Sequence, residues 1–407
     1  MASTHLDAAF ARAFGAPATG AVQVARAPGR VNLIGEHIDY CGLSVLPMAL
    51  RQGVRIAFHP RSDRETRLVN RDPRFAPSAF AVNASIPPAA AGDWGNYARA
   101  AAQALAQRFR NLRGVDALVD SDLPIAAGLS SSSALVVAMA LALMHANQVT
   151  VAPLELMEFL GRGERYVGTA GGGMDQAIIL GARAGCASRI DFHPLRLTPT
   201  AVPPDWQFIV AWSLVHAEKS GAARQSYNER TRQCDEARRL VATRLGQRED
   251  INYPALLAAT PVEQLLEVAG ATGSDVLARR FRHVVTEGIR VRQAEAAMAA
   301  HDLAAFGLLL DASHQSLRGD YEVSRPELDR LVELAREAGA AGARLTGAGF
   351  GGSIVALCRA ESAPEVIAAL RERFYAPRGA AGDVERYVFR AEPSAGAEVL
   401  TPGASSA

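Results

Sequence analysis

A run of four serines stands directly before the longest apolar stretch of the chain, and this junction restricts the fold more than any other feature. Residues 123–134 read LPIAAGLSSSSA, and the apolar run over residues 134–144 has 11 residues. A membrane-spanning helix needs ~20 such residues, so this run predicts a buried helix of a globular protein. At its start, serine hydroxyls, unpaired N–H groups and the positive end of the helix dipole suit a phosphate.

The serine segment therefore indicates a nucleotide-phosphate loop, although a serine that simply caps a core helix is an alternative. The segment lacks the GxxxxGK[ST] pattern of an ordinary P-loop. The candidate phosphate-binding residues are Gly128, Leu129, Ser130, Ser131, Ser132 and Ser133.

A polar segment near the N-terminus is the second candidate site. Residues 27–40 read APGRVNLIGEHIDY and set Arg30, Asn32, Glu36, His37 and Asp39 between apolar runs, which we interpret as a polar turn. Carboxylates accept hydrogen bonds from sugar hydroxyls, and a guanidinium stabilises an oxyanion or a phosphate. The segment thus favours a polyol site, with a salt-bridged surface turn as the alternative. Its spacing is not that of an HExxH zinc site, so His37 is assigned to hydrogen bonding.

A single acid follows three glycines in residues 171–176, GGGMDQ. An aspartate before an apolar stretch is costly to bury unless it is paired or functional. Asp175 is therefore the catalytic candidate, and a helix N-cap is the competing interpretation.

A second glycine cluster lies late in the chain, where residues 345–353 read LTGAGFGGS. A strand candidate follows these glycines, whereas a dinucleotide-binding Rossmann unit would place a helix there. A tight turn alone would also explain the composition. The glycines of this third motif are Gly347, Gly349, Gly351 and Gly352.

Length and periodicity predict an α+β protein of two domains, since one domain usually takes ~100 to 200 residues. The proline-rich stretch near residue 200 suggests a boundary between residues 1–203 and 204–407. Strand candidates are residues 22–26, 54–58, 115–119, 208–212, 353–358 and 387–390. Helical patterns cover residues 97–109, 134–146, 154–166, 225–245, 274–299, 303–317 and 326–339, and the tail from residue 392 is expected to be loose.

Charge and cysteine content narrow the function classes. The formal net charge is only +1, which argues against nucleic acid or an anionic membrane as a partner. Four scattered cysteines without a CxxC pair argue against a zinc cage or a disulfide framework, and the N-terminus lacks the pattern of a secretion signal. We expect a cytoplasmic protein that binds small molecules. The sequence does not determine its oligomeric state and is compatible with a monomer.

These segments, in this order and spacing, resemble galactokinases of the GHMP small-molecule kinase superfamily. APGRVNLIGEH-x-DY resembles the galactokinase signature, LP-x-x-x-GLSSSSA the second superfamily motif, and LTGAGFGGS the third. The likeness spans most of the chain, and parts of residues 59–92 and 246–275 and the tails lie outside it. The resemblance implies a two-domain α+β fold with the active site between the domains, and ATP and Mg²⁺ as co-substrate and cofactor.

The resemblance also implies residue roles. Arg30 would lie beside the transferring phosphate, and Asp175 would face the anomeric hydroxyl as an acceptor or only as an orienting group. Ser132 matches the magnesium-contacting serine, and Trp94, in DWGNY, matches a tryptophan near the adenine. The residues that would hold the sugar are Arg30, Glu36, His37, Asp39, Gly172, Asp175 and Tyr227.

The substrate expected from this resemblance is galactose, with two alternatives. Ile38, Cys41 and the glycines before Met174 resemble the N-acetylgalactosamine kinase branch, where a glycine beside the sugar could leave space for a 2-acetamido group. Tyr227 resembles the galactokinase choice, because the other branch carries phenylalanine there. A regulatory sensor that binds galactose and ATP is less favoured, because sensors of this type resemble kinases that have lost residues from the serine loop. Mevalonate- or homoserine-type relatives share motifs two and three, but GEH-x-DY is not expected for those acids.

Overall fold

The computed structural model describes residues 2–17, 19–124, 126–168, 171–216, 222–380, 382 and 384–400. Its strands are β1 (Gln23–Ile34), β2 (Leu46–Pro60), β3 (Glu65–Asn70), β4 (Ser78–Ala81), β5 (Val115–Ser121), β6 (Cys186–Phe192), β7 (Leu195–Ala201), β8 (Trp206–Trp212), β9 (Gly342–Thr346), β10 (Ser353–Arg359), β11 (Val388–Ala391) and β12 (Glu398–Leu400).

The helices alternate with these strands and dominate the second half of the chain. They are α1 (Ala2–Phe14), α2 (Gly95–Arg108), α3 (Ser131–Ala146), α4 (Pro153–Gly163), α5 (Met174–Gly181), α6 (Ala222–Arg244), α7 (Tyr253–Ala259), α8 (Val262–Gly270), α9 (Asp275–Ala299), α10 (Leu303–Gly319), α11 (Pro326–Glu337), α12 (Ala363–Leu370) and α13 (Val384–Tyr387). The α+β class predicted from the sequence is confirmed, and each strand and helix candidate falls on an element of its own type.

Two main sheets organise the described residues. A six-stranded sheet has the order β12-β1-β2-β5-β3-β4, and a four-stranded sheet has the order β11-β8-β10-β9, while β6 and β7 form a separate hairpin. Helix α3 packs against β1 and β2, and α10 packs against β9. The two sheets meet beside β1, because β1 also contacts β9 and α9.

The apolar run over residues 134–144 forms the buried helix that the sequence predicts. It lies within α3, where Leu143 and its apolar neighbours are buried. Truncating a buried leucine to alanine typically costs about 2 to 5 kcal/mol, so α3 is a central element of the core. No helix in the described part of the chain combines the length and the apolar character that crossing a bilayer requires.

The polar segment over residues 27–40 is a turn only in its second part, which corrects the sequence interpretation. Residues 27–34 continue β1, with Arg30 opposite Ala49 and Val31 opposite Met48 on β2. Polar residues are tolerated inside this strand because the second sheet covers them. Thr346 Oγ1 accepts a hydrogen bond from Asn32 N at 3.2 Å and donates one to Asn32 O at 3.0 Å.

The C-terminal tail is partly ordered, against the expectation of a loose segment. Strand β12 pairs with β1, with Val24 opposite Leu400, so the chain returns to the first sheet near its end. Residues 401–407 of that expected loose tail lie outside the described residues. The boundary between residues 203 and 204 stays a prediction. It falls just before β8, the first strand of the four-stranded sheet.

Candidate active site

A buried ion pair joins the first sheet to α5. Arg30, on β1, donates from Nε to Asp175 Oδ1 at 2.7 Å, and the two residues are only 4% and 8% exposed. Burial opposes the charge on Arg30, but the carboxylates of Asp175, Glu36 and Asp39 outweigh burial and raise the pKa of the guanidinium. Arg30 is therefore a permanent cation at the centre of the site.

The serine loop contacts the same carboxylate. Ser130 Oγ donates to Asp175 Oδ2 at 2.5 Å, and Ser133 Oγ lies 3.2 Å from that oxygen. Arg30 Nη1 donates to the carbonyl of Gly128 at 2.7 Å, and Arg30 N donates to the carbonyl of Leu129 at 3.1 Å. Asp175 thus lies between Arg30 and the N-terminus of α3, where the helix dipole favours negative charge.

The other loop serines begin α3. Ser131 and Ser132 are half-buried residues of its first turn. No group of three or more His, Cys, Asp or Glu side chains in the described ranges could hold a metal ion. Magnesium is commonly held by few protein ligands together with substrate phosphates. The hydroxyl of Ser132, in the first turn of α3, fits that pattern of oxygen donors.

Glu36 links the sugar segment to the third motif. Its carboxylate accepts hydrogen bonds from Asn32 Nδ2 and from the backbone N–H of Gly347. Arg344 Nη2 lies 3.7 Å from Glu36 Oε2, and both side chains are almost completely buried. Burial raises the pKa of Glu36, although Arg344 and Arg30 act against this rise. The carboxylate therefore holds two distant segments of the chain together at the wall of the site.

His37 is held in one tautomer by a chain of hydrogen bonds. Its Nε2 lies 3.1 Å from the carbonyl of Ala348, which can only accept, so Nε2 carries the hydrogen and Nδ1 accepts from Tyr40 Oη at 2.9 Å. Tyr40 Oη lies 2.6 Å from Tyr321 Oη, which lies 3.0 Å from Cys234 Sγ. Burial, with His283 nearby, lowers the pKa of His37 to about 3, so the ring is neutral at physiological pH.

Asp39 is the second buried carboxylate of the sugar segment. Burial raises its pKa to about 6, and the charge of Asp175 adds to this rise. The backbone N–H of Gly172 donates to Asp39 Oδ2 at 3.2 Å. A Cβ on Gly172 would lie 2.5 Å from Tyr40 N, so only glycine permits this approach. The missing side chain of Gly172 therefore faces the Asp39 turn.

These groups surround one cavity. All the residues that the sequence predicts to hold a sugar lie along its wall, together with a few neighbours that the sequence did not indicate. The lining residues are Arg30, Glu36, His37, Asp39, Gly171, Gly172, Gly173, Met174, Asp175, Gln176, Tyr227, Gly347 and Ala348. Tyr227 stands with its ring centroid 5.5 Å from that of His37. The convergence that the sequence motifs require is therefore present in the fold.

The third glycine motif packs against the backbone of the serine loop. Gly347 has φ of 84°, and a Cβ there would lie 2.8 Å from the carbonyl oxygen of Gly128. Of the four glycines of this motif, only Gly347 lines the cavity. The following turn, with Gly349, Gly351 and Gly352, packs against the backbone of Val323 and Val215 through hydrogen bonds from Phe350 N and Gly352 N at 2.8 and 2.9 Å.

Trp94 lies at the N-terminus of α2, which packs on α3. Its Nε1 donates to the carbonyl of Ala76 at 2.8 Å, and its ring stands 6.0 Å from that of Phe75. The indole is half-buried and is not part of the cavity lining. Its role beside an adenine stays a prediction.

Sequence reasoning missed two supports on α9. Glu287 Oε1 accepts from Gly35 N at 2.9 Å, and His283 Nε2 lies 3.0 Å from the carbonyl of Glu36. Both side chains are fully buried. A histidine and a glutamate four residues apart fall on one helix face, and that pair within the apolar pattern of α9 was the available signal.

Three family models match parts of the chain. A family model described as "GHMP kinases N terminal domain" matches residues 96–182, "GHMP kinases C terminal" matches residues 294–376, and "Galactokinase galactose-binding signature" matches residues 8–60. The fold is thus that of a GHMP kinase.

The relatives are more specific. A galactokinase of Chloroflexus aggregans is 40% identical over 365 residues, which cover 89% of this chain and 90% of that protein. One of a Roseiflexus species is 37% identical over 376 residues, with 92% of each chain covered. The chain belongs to the galactokinase family.

Solved structures show the same relationship. Lactococcus lactis galactokinase complexed with galactose has a TM-score of 0.87 and 29% identity, covering 98% of this chain and 100% of that one. A Methanococcus jannaschii mevalonate kinase has a TM-score of 0.60 at 18% identity, over 93% of this chain and 100% of that one, and shares the fold alone.

Proposed function

We propose that the protein is a galactokinase that transfers the γ-phosphoryl group of ATP to the anomeric C1 hydroxyl of D-galactose, giving α-D-galactose 1-phosphate and ADP. The observation that carries this proposal is the contact of Asp175 with both Arg30 and the serine loop at the wall of one polar cavity. Phosphoryl transfer depends mainly on positioning and charge stabilisation, and this arrangement supplies both.

Asp175 orients the anomeric hydroxyl and accepts its proton as the O–P bond forms. Arg30 keeps the carboxylate in place from one side, and its permanent charge stabilises negative charge on the transferring group. The loop serines, which contact Asp175, bring the phosphate-binding N-terminus of α3 to the same point.

The sugar is held by the segment after β1 and by α6. Asp39 and Glu36 offer oxygens that accept hydrogen bonds from the sugar hydroxyls. The backbone N–H of Gly172 fixes the Asp39 carboxylate, and Tyr227 completes the wall of the cavity. Both ring nitrogens of His37 are bonded within the protein. His37 therefore acts through its ring surface and by holding Tyr40.

ATP is the co-substrate. Its phosphates lie against residues 128–133, and Trp94 faces its adenine. The hydroxyl of Ser132, half-buried in the first turn of α3, is the protein oxygen that would hold Mg²⁺. The ion would supply neutralising charge on the phosphate oxygens. Four free thiols support the expectation of a reducing, cytoplasmic environment.

N-acetylgalactosamine is the second candidate substrate. The absent side chain of Gly172 offers it no space, because that position faces Asp39 and Tyr40. Gly173 does offer space for the 2-acetamido group, because it lines the cavity and a Cβ there would meet no atom within 4 Å. The ratio of kcat/KM for the two sugars measures the preference, and we expect galactose to be favoured.

The proposal is tested by following ATP and a panel of hexoses by phosphorus NMR. We expect a sugar phosphate with the phosphorus coupled to the anomeric proton, formed fastest from galactose. A product phosphorylated at C6, or ATP hydrolysis without a sugar phosphate, would contradict it. Binding of both ligands without turnover would favour the sensor function instead.

A further inference from the structure

Arg344 is a fully buried cation that lies behind the polar segment over residues 27–40. It belongs to β9, has 0% of its surface exposed and is not among the described residues that line the cavity. A charged side chain is almost never fully buried unless it is paired, because burial removes its hydration. The partners of Arg344 therefore indicate its role.

One part of the guanidinium joins the two main sheets. Arg344 Nη1 donates to the carbonyl of Asn32 at 3.1 Å and to the carbonyl of Leu33 at 2.8 Å. Both carbonyls belong to the end of β1, just before the turn that carries Glu36. Arg344 therefore fixes the start of this turn relative to β9.

The other part of the guanidinium faces the Glu36 carboxylate without a hydrogen bond to it. Arg344 Nη2 lies 3.7 Å from Glu36 Oε2, and neither Nη2 nor Nε has a hydrogen-bond partner among the described residues. The carboxylate accepts from Asn32 Nδ2 and Gly347 N, which leaves part of its about four lone-pair sites unused. Arg344 thus supplies charge and leaves those lone pairs of Glu36 to a sugar hydroxyl.

The other charged groups near Glu36 do not replace Arg344. The charged or titratable side chains around this carboxylate are Arg30 on β1, His37 and Asp39 in its own turn, His283 and Glu287 on α9, and Arg344 on β9. Arg30 already bonds the Asp175 carboxylate at 2.7 Å. The two histidines are neutral at physiological pH, because burial lowers the pKa of His37 to about 3 and that of His283 to about 4. Burial raises the pKa of Glu36, and Arg344 opposes this rise more than any other group.

We infer that Arg344 is a positioning residue of the sugar site, which holds the Glu36 carboxylate in place and balances its charge without touching the sugar. This inference rests on the proposed function. The loss of Arg344 should weaken sugar binding and leave the phosphate side, where Arg30 and the serine loop act, nearly unchanged.

Two substitutions separate the charge of Arg344 from its hydrogen bonds. Arg344→Gln removes the charge and keeps an amide donor for the carbonyls of β1, whereas Arg344→Lys keeps the charge. We expect Arg344→Gln to raise KM for galactose about 10- to 100-fold, with kcat and KM for ATP within about threefold, because it acts on the binding of the sugar. Arg344→Lys should keep KM for galactose within about fivefold of the wild type, since a charge acts on Glu36 without a direct hydrogen bond.

A double-mutant cycle with Glu36→Gln tests whether Arg344 acts through this carboxylate. In the Glu36→Gln protein, Arg344→Gln should change kcat/KM for galactose by less than about threefold, because the charge that Arg344 balances is already gone. The pH profile gives a second readout. In Arg344→Gln, kcat/KM for galactose should start to fall at a higher pH than in the wild type, since Glu36 is then protonated more easily, and Arg344→Lys should restore the wild-type profile.

Arg238→Gln is the matched control. The guanidinium of Arg238 also donates to two backbone carbonyls, those of Glu249 and Ile251, and bonds the Asp235 carboxylate at 2.6 Å, outside the cavity lining. Arg238→Gln should lower the melting temperature as Arg344→Gln does and leave KM for galactose within about twofold of the wild type.

Three results would overturn the inference: an unchanged KM for galactose in Arg344→Gln, equal losses from that substitution with and without Glu36→Gln, or equal KM values in Arg344→Lys and Arg344→Gln. If Arg344→Gln does not fold, Arg344→Lys decides, because a KM for galactose as high as that of Glu36→Gln would reject the role. Wild-type turnover of galactose is measured first. If it is absent, the proposed function fails, whereas turnover without coupling between Arg344 and Glu36 refutes only the role of Arg344.

Discussion

The sugar side and the phosphate side of the cavity are built differently. On the sugar side, the turn after β1 is held by residues far along the chain: Glu36 by Gly347, His37 by Ala348, and Gly35 by Glu287. On the phosphate side, a short loop runs into one helix, and its serine hydroxyls reach Asp175. The sugar turn is thus fixed mainly by distant segments, whereas the phosphate loop runs directly into its own helix and is held in addition by Arg30, Asp175 and Gly347.

This difference suggests a division of tasks. A turn fixed from several directions can discriminate between hydroxyl arrangements, because its acceptors cannot relax toward a wrong sugar. A loop at a helix terminus can bind any nucleoside triphosphate through its phosphates, since backbone N–H groups and the dipole read charge alone. The following substitutions perturb one side at a time, from the largest expected effect to the smallest.

The point where the two sides meet should be the most sensitive. Asp175→Asn keeps the volume and an acceptor for Arg30 but removes the charge that accepts the proton, so kcat should fall about 100- to 10,000-fold. Steady-state kinetics with saturating ATP and galactose measure this. Asp191→Asn, a half-buried carboxylate outside the cavity, is the control and should leave kcat within about twofold. Near wild-type kcat for Asp175→Asn would remove its catalytic role.

The sugar side should depend on α9 for its stability. Glu287 also accepts from Arg290 Nε at 2.7 Å and from Ser313, so Glu287→Ala leaves a half-buried cation and the N–H of Gly35 unpaired. Breaking such a buried pair costs about 3 to 5 kcal/mol in the free energy of unfolding, measurable by urea titration.

An exposed pair provides the control for Glu287. Glu333 bonds Arg330 on the surface of α11, and Glu333→Ala should change the free energy of unfolding by less than about 1 kcal/mol. Similar decreases in the free energy of unfolding for the two variants would mean that the hydrogen bond between Glu287 and the backbone N–H of Gly35 does not stabilise the fold.

The decrease of kcat/KM at low pH should depend on a carboxylate of the sugar side. Burial, helped by the charge of Asp175, raises the pKa of Asp39 to about 6, so kcat/KM for galactose should fall about fivefold between pH ~6 and pH ~5 as the carboxylate is protonated. Asp39→Asn should abolish that decrease while lowering the plateau. A wild-type profile that stays flat down to pH ~5 would exclude Asp39 as an ionised acceptor.

The same shift has a defined sign for stability. The folded protein binds the Asp39 proton more tightly than the unfolded chain, whose carboxyl keeps its ordinary pKa of 3.8. The contribution of Asp39 to the free energy of unfolding is therefore fully present below pH 3.8 and is lost as the pH rises through about 6.

The smallest effect is expected from the hydrogen-bond chain behind His37. Tyr321→Phe removes the hydroxyl between Tyr40 and Cys234, which should raise KM for galactose a few-fold and leave kcat and KM for ATP nearly unchanged. Tyr253→Phe removes a buried hydroxyl bonded to the Cys234 carbonyl at 2.8 Å and serves as control. Equal KM values in both variants would show that the chain does not position His37.

The two sides also differ in how far the sequence predicts them. The serine loop, the start of α3 and the position of Asp175 in the first turn of α5 follow from local residue order, since a glycine, four serines and an apolar run define a helix terminus by themselves. The sugar side does not. Residues 27–34 were predicted as a turn because their polar side chains are compatible with burial only once the second sheet covers them.

Long-range contacts account for the rest of what the sequence could not predict. Nothing near Gly35 indicates that Glu287, 252 residues later, supplies its acceptor. The sequence suggested that a glycine before Met174 leaves room for a substituent, but only the packing distinguishes Gly172, which faces the backbone of Tyr40, from Gly173, which faces open space. Local composition predicts which residue types a site needs, whereas the packing of distant segments decides what each of them faces.

The pairing of β12 with β1 has a consequence for the newly made chain on the ribosome. Until residues 398–400 have been synthesised, Val24, Ala25 and Arg26 at the start of β1 lack their partners on that edge of the strand. Such an edge is a template for pairing with another chain. The start of the strand that carries Arg30 therefore stays open to such pairing until a segment far along the chain has been synthesised.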